Sequence, residues 1–425
     1  MKVLKISTSG LKNLAKEVTI YFSNSTIENG INKVNNVKGI FGFNGAGKTA
    51  FISSIYLYKQ IVMNPTFLLQ NEVIKKLDKL INYQTKFFNF SIIFEYNGKQ
   101  VIKHSIKIEK NDVNNTFFIS REEISLSNGR TLDDKYISLI SKNINEITIS
   151  SNRGLDKYLP FLTKMDLSYA SILHSLLTIL ISNKNKEKLD VNDEIFIHLY
   201  QCINNIDTFL STENVVSGNG NVEFDELLFN YQNGKNHSVY ISDSSVFKKD
   251  FEAYSKDCKR LLKFLQLFKP EIKDIFLDKY EVGDTYFVKK IICYDNYKVD
   301  LEFESSGIKQ LIKLFTYLYH SCIGKTIFID EIDTNINSIY FTKLIMFFKN
   351  YGQGQLIFTT HNIEAMNALK SQTRSIVVLG NDNNLDVWVG RGNRSPSKEY
   401  IDGFFVNSPM NIEDFNFINI FLNKE

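Results

Sequence analysis

The stretch GFNGAGKT sets Gly42, Asn44, Gly45, Ala46, Gly47, Lys48 and Thr49 between a short apolar run, 37–41, and a helix-period run that starts near Lys48. A glycine-rich turn with this spacing leaves successive backbone N–H groups free to surround an anion at the positive end of a helix. Lys48 then reaches the β- and γ-phosphates of a nucleotide, and Thr49 offers its hydroxyl to Mg²⁺. A second set of candidates lies near the end of the chain. KTIFIDEID ends a buried strand in Asp330 and Glu331, and carboxylates at the C-terminal tip of a parallel strand sit where open α/β sheets bind ligands. Asp330 is expected in the Mg²⁺ shell, and Glu331 is expected to orient and deprotonate an attacking water. QLIFTTHN ends another strand at His361, within reach of a γ-phosphate or of that water. FESSGIKQLIKLF puts Ser305, Ser306 and Gly307 ahead of a helix beginning near Ile308, which by itself reads as a helix N-cap.

These groups come from distant parts of the chain, so the elements between them must bring them together. Runs 3–8 and 17–22 alternate as paired strands, and helices are expected over 48–60 and 71–83. Three strand-like runs follow, FFNFSIIFEY, QVIKHSIKIE and TFFISREEISL, the first two joined by an Asn97-Gly98 hairpin signal. They predict an antiparallel sheet beside the phosphate site. From 135 to 290 the pattern is mainly helical, with an exposed loop at 211–221. Strands return at DTYFVKKIICY and YKVDLEFE, and the remainder alternates strand and helix, the signature of a parallel sheet covered by helices. The expected organisation is an α/β nucleotide-binding head in two halves, 1–134 and 291–425, split by a mainly helical insertion, 135–290.

The composition sets wide bounds. The chain has 425 residues, 43% of them hydrophobic, with 50 basic and 47 acidic side chains and net charge +3. A large core needs no staples at this length, and the charge balance leaves the partner open. Cys202, Cys258, Cys293 and Cys322 form no C-x-x-C pair, which argues against a disulfide framework or a zinc site and for buried thiols in a reducing cytoplasm. The start, MKVLKISTSG, reads as a strand and not as a signal peptide. The longest apolar run, 170–181, is too short for the roughly 20 residues of a membrane span. A cytoplasmic protein without a membrane segment is expected.

In order along the chain, GFNGAGKT, SSGIKQL, IFIDEID and FTTHN resemble the Walker A, signature, Walker B and H-loop motifs of an ABC-type ATPase head of the RecF/SMC class. The resemblance implies an ATPase using ATP and Mg²⁺. It also implies that the serine turn completes a nucleotide site on the opposite protomer of a homo-oligomer, so that the cap and the functional reading are one structure. Ser305 takes the family's serine position, Ser306 stands where a glycine is usual, and Gly307 takes the second glycine. Asp333 resembles the D-loop acid, although the Leu-His pair often found there is missing. For the Q-loop, Gln84 and Gln100 both flank strands and neither is distinguished from the other.

A wider pattern is similar to the ATPases of bacterial abortive-infection and phage-defence systems: the PARIS ATPase, the Septu ATPase and the ATPase half of overcoming-lysogenization-defect proteins. It includes SIIFEYNGKQVIKHSIKI, ISREEISL, SYASILHSLL and KEYIDGFFVNSP. This resemblance implies a sensor or scaffold subunit that controls a separate nuclease or toxin effector and answers a phage protein. The alternative is a DNA-repair or recombination ATPase that binds DNA directly, for which Lys256, Lys259, Arg260 and Lys263 on one helix and Arg391, Arg394 and Lys398 near the end are the candidate contacts. An SMC-like tether is disfavoured, because 135–290 lacks sustained heptads. In the tail, Glu413 and Asp414 lack a third convergent ligand, and Phe415, Phe417, Ile418, Ile420 and Phe421 suggest an apolar packing surface.

Overall fold

Val37–Gly42 is buried at every position, which is what a strand covered on both faces requires. It is β3 of a six-stranded sheet with order β17-β16-β3-β15-β14-β9, comprising Leu385–Val387, Ile376–Leu379, β3 itself, Gln355–Thr359, Thr326–Ile329 and Ile206–Phe209. All pairings are parallel except β16 with β17, which closes one edge. The computed structural model describes residues 2–23, 34–129, 131–144, 146–150, 154–183, 190–210, 244–380, 382–390 and 394–408.

Side chains of this sheet alternate between two cores, as the period of a strand dictates. Phe328, Ile357, Val377 and Leu379 join one core with helix α1 (Lys48–Met63) and a second sheet. Ile327, Ile329, Leu356, Phe358, Ile376 and Val378 join the other, with α7 (Ser306–Cys322), α8 (Ser338–Tyr351) and α9 (Glu364–Leu369).

The second sheet is the expected antiparallel one and has seven strands, in the order β2-β1-β4-β5-β6-β7-β8. Its strands are β1 Val3–Ser9, β2 Val18–Tyr21, β4 Phe87–Tyr96, β5 Gln100–Asn111, β6 Thr116–Ser127, β7 Ile137–Asn143 and β8 Glu146–Ile149. The turn between β4 and β5 has Asn97 and Gly98 at φ 48° and 75°, the left-handed pair that a tight hairpin selects. A buried polar chain links this sheet to α1. Tyr58 Oη lies 2.7 Å from His104 Nδ1, and His104 Nε2 lies 3.0 Å from Glu122 Oε1. Glu122 also accepts from Ser171 Oγ and from the Ile172 amide, and so caps helix α4, Ile172–Asn183. Burial opposes the Glu122 charge, but the hydrogen bonds from His104, Ser171 and Ile172 hold its pKa below the ordinary value.

A third sheet packs on α6 (Phe251–Phe268) and α7. It consists of β10 Ser245–Phe247, β11 Asp274–Val282, β12 Thr285–Cys293 and β13 Lys298–Asp300. Asp207 on β9 ties the α1 side of the molecule to the α7 side, with Lys59 at 3.2 Å, Lys325 at 3.0 Å and His320 Nδ1 at 3.4 Å. Burial disfavours its charge, yet these neighbours keep its pKa well below that of an ordinary aspartate.

Within 135–290, strands that the mainly helical reading did not include accompany the helices. β7 and β8 extend the antiparallel sheet, β10, β11 and β12 build the third, and β9 forms the edge of the central sheet. β9 is four residues, IDTF, too short to show a period, and it is fixed as a strand by parallel pairing with β14, Ile206 opposite Thr326. The strand expected through YKVDLEFE also stops early. After Asp300 the chain makes a 3₁₀ turn, Leu301–Phe303, capped by the Asp300 carboxylate on the Glu302 amide at 3.0 Å. Cys202, Cys258 and Cys293 are buried free thiols, and burial pushes Cys202 up to about 12 and Cys258 up to about 11. The 211–221 loop and the tail residues from 409 onward, with their acidic and aromatic side chains, lie outside the described residues.

One core residue works against stability. Lys38, on β3, is 1% exposed, lies over the Phe22 ring and donates to the Arg374 carbonyl. Burial, aided by the Arg374 charge, pushes its pKa down to about 7 from 10.5. The folded chain therefore holds fewer protons than the unfolded chain between these values, so stability rises with pH through that window, and the full cost is present below about 7. Lys38→Met is expected to stabilise the protein by a few kcal/mol near neutral pH, on the order set by 1.36 kcal/mol per pKa unit. In denaturant unfolding, the gain should shrink toward zero as pH approaches 10.5.

Candidate active site

The loop between β3 and α1 needs glycine at fixed points. Gly42 and Gly47 have φ of 139° and 108°, and a Cβ on Gly42 would fall 2.2 Å from the Leu379 carbonyl oxygen, one on Gly47 2.6 Å from Leu14 Cδ2. Helix α1 starts at Lys48 with Gly47 as N-cap, no side-chain cap and no acidic residue in its first turn. Its amide-rich end is thereby open to an anion at the place the sequence implied. Asn44 and Gly45 are exposed at the loop tip, and Ala46 is buried beneath them. Lys48 Nζ donates to the carbonyls of Gly42 and Phe43, both at 2.8 Å. Its burial lowers its pKa, and Asp330, Glu331 and Asp333 oppose that shift, so all three acids lie within electrostatic reach of the lysine.

Strand β14 delivers the acids. It is buried at all four positions and releases the chain at Asp330, which is 1% exposed. Asp330 Oδ1 accepts from Thr359 Oγ1 at 2.6 Å. Asp330 Oδ2 is buried and meets no hydrogen-bond partner at bonding geometry among the described residues, although the Thr49 side chain is close enough to favour its charged form. Burial is the largest influence on Asp330 and raises its pKa, with the Thr359 and Thr49 hydroxyls acting the other way. An unshared buried carboxylate oxygen beside a threonine hydroxyl fits an Mg²⁺ ion that takes its remaining ligands from phosphate and water. Among the described residues there is no cluster of three or more His, Cys, Asp or Glu side chains suited to caging a metal. Glu331 follows at φ 50°, a left-handed backbone rare for this residue type.

His361, at the tip beyond β15, is exposed. Its pKa is lowered first by desolvation and then by Lys48, while Asp333, Glu331 and Asp330 raise it. Lys48, Thr49, Asp330, Glu331, Asp333 and His361, drawn from three separate segments, thus meet at one end of the central sheet.

The serine turn has its own setting. Ser305 is the N-cap of α7 and accepts from the Ile308 amide at 3.4 Å, and Ser306 opens the helix. Both serines are exposed. Gly307 faces Asn335 in the segment after Asp330 and Glu331, with a Cβ position 3.5 Å from the Asn335 carbonyl oxygen. The turn is anchored from behind: the Ser305 amide donates to Glu304 Oε2 at 2.9 Å, Tyr294 donates to the other Glu304 oxygen, and Lys269 Nζ lies 2.8 Å from the Tyr294 oxygen.

Two asparagines and a threonine escaped the sequence reading. Asn13 Nδ2 donates to the Gly45 carbonyl and holds the tip of the phosphate loop. Asn383 Nδ2 in turn donates to the Asn13 carbonyl at 3.1 Å, while its Oδ1 accepts from the Lys16 amide at 3.1 Å. Contacts across such sequence separations carry no local signal. Thr359 reads in sequence only as a β-branched strand residue.

The candidate nucleic-acid contacts are less specific. Lys256 pairs with Glu252 at 3.0 Å and Arg260 with Asp257 at 2.6 Å, so half of the basic face of α6 is already engaged in exposed ion pairs. Arg394 lies over the Phe404 ring, and Lys398 sits on the short helix Pro396–Ile401. Arg391 is outside the described residues.

Residues 220–367 match the protein-family model described as "AAA domain, putative AbiEii toxin, Type IV TA system". Comparison with curated proteins gives no match. Among solved structures, the chain is similar to an Smc head bound to the C-winged helix domain of ScpA, at TM-score 0.42 and 14% identity over 94% of this chain and 99% of that one. It is also similar to an SMC head domain from Thermotoga maritima, at TM-score 0.37 and 13% identity over 92% of this chain and 100% of that one. A third is an Smc head with an extended coiled coil, bound to the C-terminal domain of ScpA derived from Pyrococcus furiosus, at TM-score 0.42, 11% identity and coverages of 91% and 96%. The α/β P-loop fold rests on the strand order, register and loop geometry above. No helix among the described residues is long and apolar enough to cross a membrane.

Proposed function

We propose that this chain is an ATP-hydrolysing ABC-type subunit whose nucleotide site is completed by the Ser305–Ser306–Gly307 turn of a second copy, and that it acts in bacterial anti-phage defence by controlling a separate effector. The observation that carries the reading is the convergence of Lys48, Asp330, Glu331, Asp333 and His361 beside the open N-terminus of α1. In the proposed reaction, Lys48 and the loop amides hold the β- and γ-phosphates, and Thr49 and Asp330 Oδ2 hold the metal. When bound, Mg²⁺ would supply charge neutralisation on the transferring phosphoryl group. Glu331 takes the proton of the attacking water, and His361 donates toward the γ-phosphate. Asp333 lies on the segment that faces the serine turn through Asn335, where a second copy would meet it.

The defence role is supported by the family description matched over residues 220–367, which names a putative AbiEii toxin and a type IV toxin–antitoxin system. The effector is read as a separate nuclease or toxin polypeptide, and a phage protein as the trigger. Two tests separate the layers of this reading. Mixing a Lys48→Ala chain with a Ser305→Arg chain should restore at most one working site per dimer, so the mixture should exceed either variant alone in ATP turnover. Purification with the native neighbouring genes should bring down a nuclease-like or toxin-like protein, whereas the isolated chain should cleave neither DNA nor RNA. Metal-dependent cleavage by the pure chain would overturn the separate-effector reading, and strong salt-sensitive DNA binding would favour a repair ATPase instead.

A further inference from the structure

Strands β14 and β15 run in parallel register up to Ile329 opposite Phe358, and the next residue of β15, Thr359, is fully buried. Its hydroxyl donates to Asp330 Oδ1 at 2.6 Å and accepts from the Glu331 amide at 2.8 Å. Its carbonyl accepts from the Ile332 amide at 3.1 Å. Three consecutive residues of the acidic turn are therefore tied to one residue of the neighbouring strand. The middle one, Glu331, holds the φ of 50° that a glutamate adopts only when its surroundings over-determine it. One oxygen serves as donor and acceptor at once, which a hydroxyl can do and a methyl cannot. Thr359 also stands two residues before His361, so the same strand end carries both the clamp and the histidine.

We propose that Thr359 is a positioning residue for hydrolysis. Its hydroxyl fixes Asp330 Oδ1 and the Glu331 amide, which turns the Glu331 carboxylate toward the water and leaves Asp330 Oδ2 for the metal. The inference rests on the ATPase reading above and adds to it a residue that touches neither substrate nor metal.

The test compares the full-length parent chain with Thr359→Val, Thr359→Ser and Thr359→Cys in steady-state ATP turnover, and measures binding of a fluorescent ATP analogue with Mg²⁺. Thr359→Val keeps the shape and removes the hydroxyl. Its kcat should fall roughly 10- to 100-fold, the scale at which a misplaced reacting group acts, while analogue affinity stays within about threefold. Thr359→Ser should recover kcat to within about threefold of the parent, which a packing role alone would not produce. If the valine variant does not fold, Thr359→Cys, which puts a weakly hydrogen-bonding thiol where the serine variant keeps a hydroxyl, carries the same expectation of low kcat with unchanged affinity. Undiminished kcat without the hydroxyl, a serine variant as slow as valine, or a loss confined to affinity would overturn the positioning role alone. A parent chain without turnover would overturn the ATPase reading and this proposal with it.

Discussion

Lys48→Ala is expected to weaken ATP binding by roughly 10- to 100-fold, the scale of removing a hydrogen-bonding cation from a phosphate. The chain should remain folded. Lys48 Nζ is held by two loop carbonyls in a buried setting that disfavours its charge, so deleting the ammonium removes a desolvation cost together with the two bonds. Equilibrium titration with a fluorescent ATP analogue reads the affinity, and thermal melting of the same samples reads the fold. Unchanged affinity in a folded Lys48→Ala protein would mean that the phosphates are not bound at α1.

Glu331→Gln should separate binding from chemistry. The amide keeps the size of the side chain and loses its basicity, and the backbone clamp through the Glu331 amide and Thr359 Oγ1 is untouched. ATP affinity should therefore persist while turnover falls by about 10²- to 10⁴-fold, the usual contribution of a positioned general base. With hydrolysis blocked, Mg²⁺ and ATP should accumulate a closed assembly of two or more chains, visible as a mass shift in light scattering that the parent chain shows only transiently. Full turnover in Glu331→Gln would remove Glu331 from the chemistry.

How much of this was readable before folding depended on where the constraint lies. The phosphate loop was legible because its requirements fall on adjacent residues: glycines at φ values that a side chain would obstruct, then lysine and threonine at a helix start. The strand-tip acids and His361 were legible because short, fully buried strands ending in charge leave a sharp polarity step in sequence. Ser305 was legible as a cap, and it is one. β9 was not legible, because four residues with a central aspartate show no strand period, and Asp207 is tolerated there only through Lys59, His320 and Lys325. Asn13, Asn383 and Thr359 were silent for a related reason: each acts on a residue brought close by the topology, and asparagine and threonine in those settings fit ordinary turns and strands.

The composite site is the centre of the account, and its most direct test is the specific ATPase rate of the parent chain followed across a wide dilution series, with a Ser305→Arg chain measured alongside. Ser305, the N-cap of α7, and Ser306, its first residue, are both exposed, which the proposed contact with a second copy's phosphates requires. The rate per chain should fall as the protein is diluted below its assembly concentration, and Ser305→Arg should be slow at every concentration while still binding ATP. A rate per chain that is independent of dilution, together with normal turnover in Ser305→Arg, would contradict a site shared between two copies.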